Sequence, residues 1–168
     1  LINTLKEGVN RMRAVAGIHK QLYESGDYSS VALGKNITNL AADIVNTMVS
    51  EKEINIKSDC ETVCLNIKQT MPCTLIANEL VTNSIKHGFK GRKEGIIAIK
   101  LTTAGNLVRL GIRDNGVGLP DDFNSKKKSL GMNLIRTLTN QLGADYNFRS
   151  SEKGTTFAMQ FTKEEREE

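Results

Sequence analysis

The sequence predicts an α/β fold. It is a two-layer sandwich, with helices on one face of a mixed, mostly antiparallel sheet, preceded by a long helix. Two observations carry this. Apolar residues recur at helical spacing over residues 1–24, 33–49, about 72–87 and about 130–142. Apolar and polar residues alternate over 54–59, 62–68, 96–103, 107–114, 144–150 and 155–162, and several of these segments adjoin one another across short turn sequences.

The elements follow in order. In residues 1–24, Leu1, Leu5, Met12, Val15, His19 and Leu22 form an apolar stripe, with Lys6, Glu7, Asn10, Arg11 and Lys20 between them. Gly26 and Asp27 end the helix. A lone helix cannot bury such a stripe, so a partner helix is expected, from a missing segment or a second subunit. A short connector, 28–32, leads into the second helix, whose apolar face carries Ile37, Leu40, Ala41, Ile44, Val45 and Met48. Two short strands follow, with Ile54 and Ile56 alternating in the first and Val63, Leu65 and Ile67 in the second. Pro72 is expected in the first turn of the third helix, where proline is tolerated. The strands 96–103 and 107–114 are joined by Ala104-Gly105-Asn106, a hairpin signal. Residues 115–129 read as a loop. After the fourth helix, the last two strands are linked by Ser151-Glu152-Lys153-Gly154, and a charged tail closes the chain. The expected organisation is 1–27 as a helical arm, 28–163 as the main domain and 164–168 as the tail.

Composition narrows the class. Of 168 residues, 39% are hydrophobic and 25% charged, as in an ordinary globular domain. There is no Trp, so Leu, Ile and Val should build the core. A net charge of +4, from 23 basic and 19 acidic residues, is too mild to argue for nucleic acid. Cys60, Cys64 and Cys73 have no framework or metal-site spacing, which suggests reduced thiols and a cytoplasmic location. No apolar run approaches the ~20 residues of a membrane span, so no membrane contact is expected of this chain. It opens on Leu1 and not Met, and is expected to be a fragment.

Four clusters carry chemistry. In Asn78–Gly88, a helix would set Glu79, Asn83 and Lys86 on one side and Ala77, Leu80, Val81, Ser84 and Gly88 on another. A carboxylate, a carboxamide and an ammonium suit a Mg-polyphosphate. The Asn83 oxygen can ligate Mg²⁺, Lys86 can contact phosphate, and Glu79 can orient a water or accept a proton. His87 can touch nucleotide or water, or cap the helix end. In Asp114–Gly118, strand parity places Asp114 on the same face as Val108, Leu110 and Ile112. An inward carboxylate needs a donor, and the amine of adenine is one. Gly116 and Gly118 let the backbone approach a flat base. Leu130, Gly131 and Met132 open a helix whose free amides suit phosphate. Lys126, Lys127 and Lys128, just before it, read as a lid over nucleotide. Thr155 shares the parity of Phe157, Met159 and Phe161, which sets its hydroxyl beside Asp114. Each cluster alone also reads as an ordinary solvated face, turn, loop or strand start.

Together, in this order, the four resemble the boxes of the Bergerat-fold ATPases and kinases, which include histidine kinases, gyrase-type topoisomerases and heat-shock chaperone ATPases. Asn78–Gly88 resembles the N box, Asp114–Gly118 the first glycine box, Gly131 the second, and Gly154-Thr155 the third. The resemblance spans about residues 33–162. It implies ATP and Mg²⁺ as cofactors and a five-stranded sheet. Asn83 would hold the metal, Asp114 read adenine, Gly131 lie near the phosphates and Thr155 support the base.

The segment Arg11–Tyr23 with Tyr28–Val31 resembles the second helix and linker of histidine kinases with an HWE-like dimerisation domain. That implies phosphoryl transfer to a histidine on a preceding helix absent from this chain, a homodimer in the full protein, and relay to a response-regulator receiver domain. His19 falls on the wrong helix for the acceptor and is expected to serve packing. The alternatives are an anti-sigma-type Ser/Thr protein kinase, an ATP-hydrolysing clamp using Glu79, and a non-catalytic nucleotide-sensing interaction module.

Overall fold

The structure, a computed structural model, describes residues 2–27, 29–119 and 129–165. The chain begins with helix α1 (Ile2–Ser25), followed by β1 (Val31–Ala32) and α2 (Leu33–Met48). Then come β2 (Glu53–Cys60), β3 (Cys64–Leu65) and α3 (Ile67–Asn83), which runs into a π-helical turn, Ser84–Gly88. The hairpin β4 (Glu94–Ala104) and β5 (Leu107–Asp114), helix α4 (Leu130–Gln141) and the hairpin β6 (Asp145–Ser151) and β7 (Gly154–Thr162) complete it.

The main sheet has five strands in the order β2-β4-β5-β7-β6. β2 and β4 run parallel and all other neighbours antiparallel. Six strands were expected, with the segment 62–68 among them. That segment forms just the two-residue strand β3, paired antiparallel with β1 in a separate ribbon. Its remainder belongs to the third helix, which begins at Ile67 and not at Pro72. Asn66 is the reason: its side chain accepts the Gln69 amide at 2.9 Å, an N-cap that overrides the short β-like alternation. Pro72 therefore sits in the second turn. Nearby, Thr70 and Thr74 hydroxyls donate to the carbonyls of Asn66 and Thr70. Asn66→Ala is expected to lower stability by about 1 kcal/mol, read as a small drop in Tm by circular dichroism.

One face of the sheet carries the core. Ile97, Ile99 and Leu101 of β4, Val108, Leu110 and Ile112 of β5, and Phe157, Met159 and Phe161 of β7 are buried beneath α2, α3 and α4. Cross-strand registers such as Ile99, Ile112, Phe157 and Phe148 stack one side chain per strand across the sheet. Phe148 meets Phe157 edge-on, with centroids 5.0 Å apart. All three cysteines are free, and burial raises the pKa of the Cys73 thiol.

The arm α1 packs against α2 and α3, but on a different stripe from the expected one. Asn10, Ala14, Ile18 and Leu22, at i+4 spacing, face inward. Ile18 and Leu22 form a small cluster with Val31 and Met71. Leu5 and Met12 are 63% and 73% exposed, and His19 is exposed too, so none of the three packs on the sandwich. Helix α1 has two apolar faces. Periodicity alone merged them, and the small Ala14 marks the one that approaches its neighbours closely.

Candidate functional site

A cleft opens between the C-terminal end of α3, the inner ends of β5 and β7, and the start of α4. Asp114 lies at its base. It is the last residue of β5 and just 4% exposed. The inward parity expected from Val108, Leu110 and Ile112 is thus met. Three donors hold the carboxylate. The Ser84 hydroxyl donates to Oδ2 at 2.8 Å, while the amides of Gly116 and Thr155 donate to Oδ1 at 2.9 and 3.2 Å. One oxygen therefore carries two bonds and the other one, leaving Oδ2 with capacity for a further donor.

The cleft around Asp114 is apolar and narrow. Leu80, Ile112, Leu119, Met132, Phe148 and Phe157 line it, with Asn83, Ser84, Gly88 and Thr155 at its polar edge. Close backbone approach shapes the floor. A Cβ on Gly116 would collide with the Gly88 carbonyl, which accepts a hydrogen bond from the Val117 amide at 2.8 Å. Gly118 has φ of +80° and abuts the Ser151 carbonyl. The next amide, of Leu119, donates to the Ser150 hydroxyl at 2.7 Å.

The π turn sets this geometry. Its extra residue per turn closes with the Phe89 amide donating to the Ser84 carbonyl at 2.9 Å. Gly88 is thereby brought against Asp114, where an added Cβ would sit 3.3 Å from Oδ1. Phe89 is driven fully into the core against Gly95.

All but two of the predicted site residues, Leu130 and Gly131, fall into two groups. Asn83, Asp114, Gly116, Gly118, Met132 and Thr155 border the cleft or shape its floor. Glu79, Lys86 and His87 face helix α1 instead. Arg11 donates to both carboxylate oxygens of Glu79, at 2.7 and 3.1 Å, and Lys86 pairs with Glu7. That fork raises the pKa of Arg11, mainly through its hydrogen bond to Glu79. His87 lies beside Lys86 on the α1 side, its pKa lowered by partial desolvation and by Lys86 and Lys90, against an opposing effect of Glu7. Leu130 is exposed at the start of α4, which Ser129 caps by accepting the Met132 amide at 3.2 Å. Gly131 packs against Glu79: a Cβ there would lie 2.7 Å from Oε2. The lid lysines Lys126, Lys127 and Lys128 lie outside the described residues.

Sequence reasoning missed Ser84, Phe148 and Arg11. Ser84 had a visible signal, a hydroxyl on the apolar face of a helix. Phe148 and Arg11 had none, since their roles depend on which strand and helix neighbour them.

The donor set fits an adenine nucleotide. A buried carboxylate with spare acceptor capacity at the end of a flat apolar slot suits the base, and its exocyclic amine supplies a donor. No group of three or more His, Cys, Asp or Glu side chains gathers to hold a metal among the described residues.

Residues 68–165 match the family described as "Histidine kinase-, DNA gyrase B-, and HSP90-like ATPase", and residues 1–48 match "HisKA_2: Histidine kinase". Among curated relatives, "Sensor histidine kinase PdtaS" of Mycobacterium tuberculosis is 29% identical over 160 residues, 92% of this chain and 32% of the relative. "Blue-light-activated histidine kinase 2" of Erythrobacter litoralis is 26% identical over 116 residues, 68% of this chain and 34% of the relative. The chain thus spans about a third of the length of these relatives. An anti-sigma F factor of Bacillus licheniformis is 32% identical over 95 residues, 50% of this chain and 63% of the relative. Among solved structures, the histidine kinase domain of a blue-light activated histidine kinase from Erythrobacter litoralis superposes with a TM-score of 0.81 at 21% identity. It covers 93% of this chain and 74% of that one. The similarity in fold includes the leading helix as well as the sandwich.

Proposed function

Because the chain belongs to the histidine kinase-, DNA gyrase B- and HSP90-like ATPase family, we propose that it is the ATP-binding catalytic part of a two-component sensor histidine kinase. It would transfer the γ-phosphate of ATP to a histidine on a dimerisation helix outside this chain. From there the phosphoryl group would pass to an aspartate of a response-regulator receiver domain. The observation that carries the nucleotide reading is Asp114, buried at the end of an apolar slot with acceptor capacity to spare.

Each residue then has a task. Asp114 would accept the adenine amine, and Met132 with the inner faces of β5 and β7 would line the slot for the rings. Gly116 and Gly118 keep the floor flat enough for the base. Thr155 fixes Asp114 through its amide. Asn83, at the open edge of the cleft, would hold Mg²⁺. When bound, that ion neutralises charge building on the transferring phosphoryl group. The first amides of α4, around Leu130 and Gly131, would serve the phosphates. Glu79 and Lys86 act at the phosphate end once freed from helix α1. The histidine reading is favoured over the anti-sigma-type Ser/Thr kinase by the leading helix, because residues 1–48 match a histidine kinase family. His19 makes no hydrogen bond or ion pair among the described residues and has no acid to orient it as a nucleophile.

Titration calorimetry with a non-hydrolysable ATP analogue tests this. Binding is expected to strengthen with Mg²⁺ in the parent. In Asn83→Ala the Mg²⁺ enhancement should largely vanish while metal-free binding persists. Absence of binding under all conditions would favour the interaction-module reading. On its own the chain is expected to bind ATP without forming stable acid-labile phosphate.

A further inference from the structure

Two ion pairs of opposite polarity join helix α1 to the N box. On α1 the charges run Glu7 then Arg11; on the facing element they run Glu79 then Lys86. The helices cross in opposite directions, so each charge meets its opposite. Sliding one helix by a turn would set Glu7 against Glu79. Charge pairs in such places are poor sources of net stability and good selectors of one register. The pairs are sheltered: Glu79 is 5% exposed, and the Arg11, Lys86 and Glu7 side chains are 23%, 23% and 32% exposed.

Two further polar groups lie in this contact. Asn10 is buried and its amide donates to the Met48 sulfur at 3.5 Å, a weak acceptor. Thr82 lies between Glu79 and Lys86, buried with its hydroxyl unpartnered. The C-terminal half of α1 differs: Ile18 and Leu22 are anchored in an apolar cluster with Val31 and Met71. Helix α1 thus has an apolar anchor at one end and a polar, imperfectly satisfied contact at the other. Glu79 extends that contact to α4, since Gly131 packs on its Oε2.

We propose that α1 is a clasp on the nucleotide site, and that a γ-phosphate with its metal opens it. The inference rests on the nucleotide reading above. Glu7 and Arg11 hold the two charged N-box side chains, Lys86 and Glu79, that suit the phosphate end of a Mg-polyphosphate. An ammonium satisfied by one carboxylate is outcompeted by a phosphoryl group with more charge and more acceptor oxygens. A metal and its waters likewise compete with Arg11 for Glu79. Binding and docking then oppose one another, each weakening the other by the same factor. A diphosphate presents no γ-phosphate and leaves the clasp shut.

The test compares non-hydrolysable triphosphate and diphosphate analogues, both with Mg²⁺, on the parent chain and on the double variant Glu7→Gln, Arg11→Gln. Neither residue lines the cleft. The variant is expected to bind the triphosphate more tightly, by on the order of 5- to 50-fold, a usual size for coupled sites. Its affinity for the diphosphate should not change. In the parent, hydrogen exchange over residues 4–14 should accelerate with triphosphate and not with diphosphate, which needs no substitution to fold. If the parent binds both analogues, the clasp is overturned by a cooperatively folding variant with no gain, or by exchange that ignores the γ-phosphate. If the parent binds neither analogue, the nucleotide reading itself falls.

Discussion

Asp114→Asn is expected to weaken binding of adenine nucleotides by about 10- to 100-fold, the equivalent of losing a hydrogen bond to a charged acceptor. The fold should survive. The asparagine oxygen can still accept from the Gly116 and Thr155 amides, as Oδ1 does now, and the Ser84 hydroxyl can rotate to accept from the new amide nitrogen. The face turned to the cleft then presents a donor where it presented an acceptor. A donor rejects the adenine amine and welcomes a carbonyl at the same ring position. Calorimetry with ATP and inosine triphosphate analogues should therefore show the preference narrowing or inverting. Unchanged ATP affinity in a folded variant would sink the assignment of Asp114 to the base.

Gly116→Ala is expected to damage both binding and stability. The added Cβ has no room, since it falls within contact distance of the backbone of Gly88 and lies 2.8 Å from its Cα. Neither segment can yield easily. The Val117 amide is bonded to the Gly88 carbonyl, and the Asn115 side chain accepts the Ile96 amide at 2.8 Å. Overpacking of this kind costs about 1–3 kcal/mol. The loss is expected as a lower denaturant midpoint, together with loss of nucleotide binding as Gly88 moves off Asp114. Gly111→Ala, within the preceding strand β5, is the control: its Cβ meets nothing nearer than 3.9 Å, and it should be nearly neutral. Equal effects at the two positions would remove the close approach as the cause.

Much of the fold and half of the site could be read from the chain. The inward face of β5, with Asp114 continuing Val108, Leu110 and Ile112, follows from strand parity, which is local. The hairpin at Gly105-Asn106 follows from turn chemistry, which is also local, and Gly105 has the positive φ of +60° that such turns need. The errors arose where a local rule met a competitor. At 62–68 the alternation of Val63, Leu65 and Ile67 imitated a strand, while a single capping residue, Asn66, started a helix inside it. Over α3 and the turn after it, a helical wheel set Glu79, Asn83 and Lys86 on one side but could not say which neighbouring element each would meet. Asn83 borders the cleft while the other two turn to α1. On α1 itself, periodicity could not separate a face that packs on the domain from one that does not. Arg11 was visible as a charge, but its partner lies 68 positions away, and that pairing exists only in the folded chain.

The position of β7 has a consequence for synthesis on the ribosome. β7, the last strand of the described residues, lies in the middle of the sheet, between β5 and β6. Until it arrives, β5 exposes an unpaired edge. Asp114 also lacks the Thr155 amide that helps hold it. A nascent chain halted before Gly154 would carry every helix of the described residues and no finished binding cleft. Completion of the sheet and completion of the cleft are the same event, so an interrupted translation product should present an adhesive strand edge instead of a partly active domain.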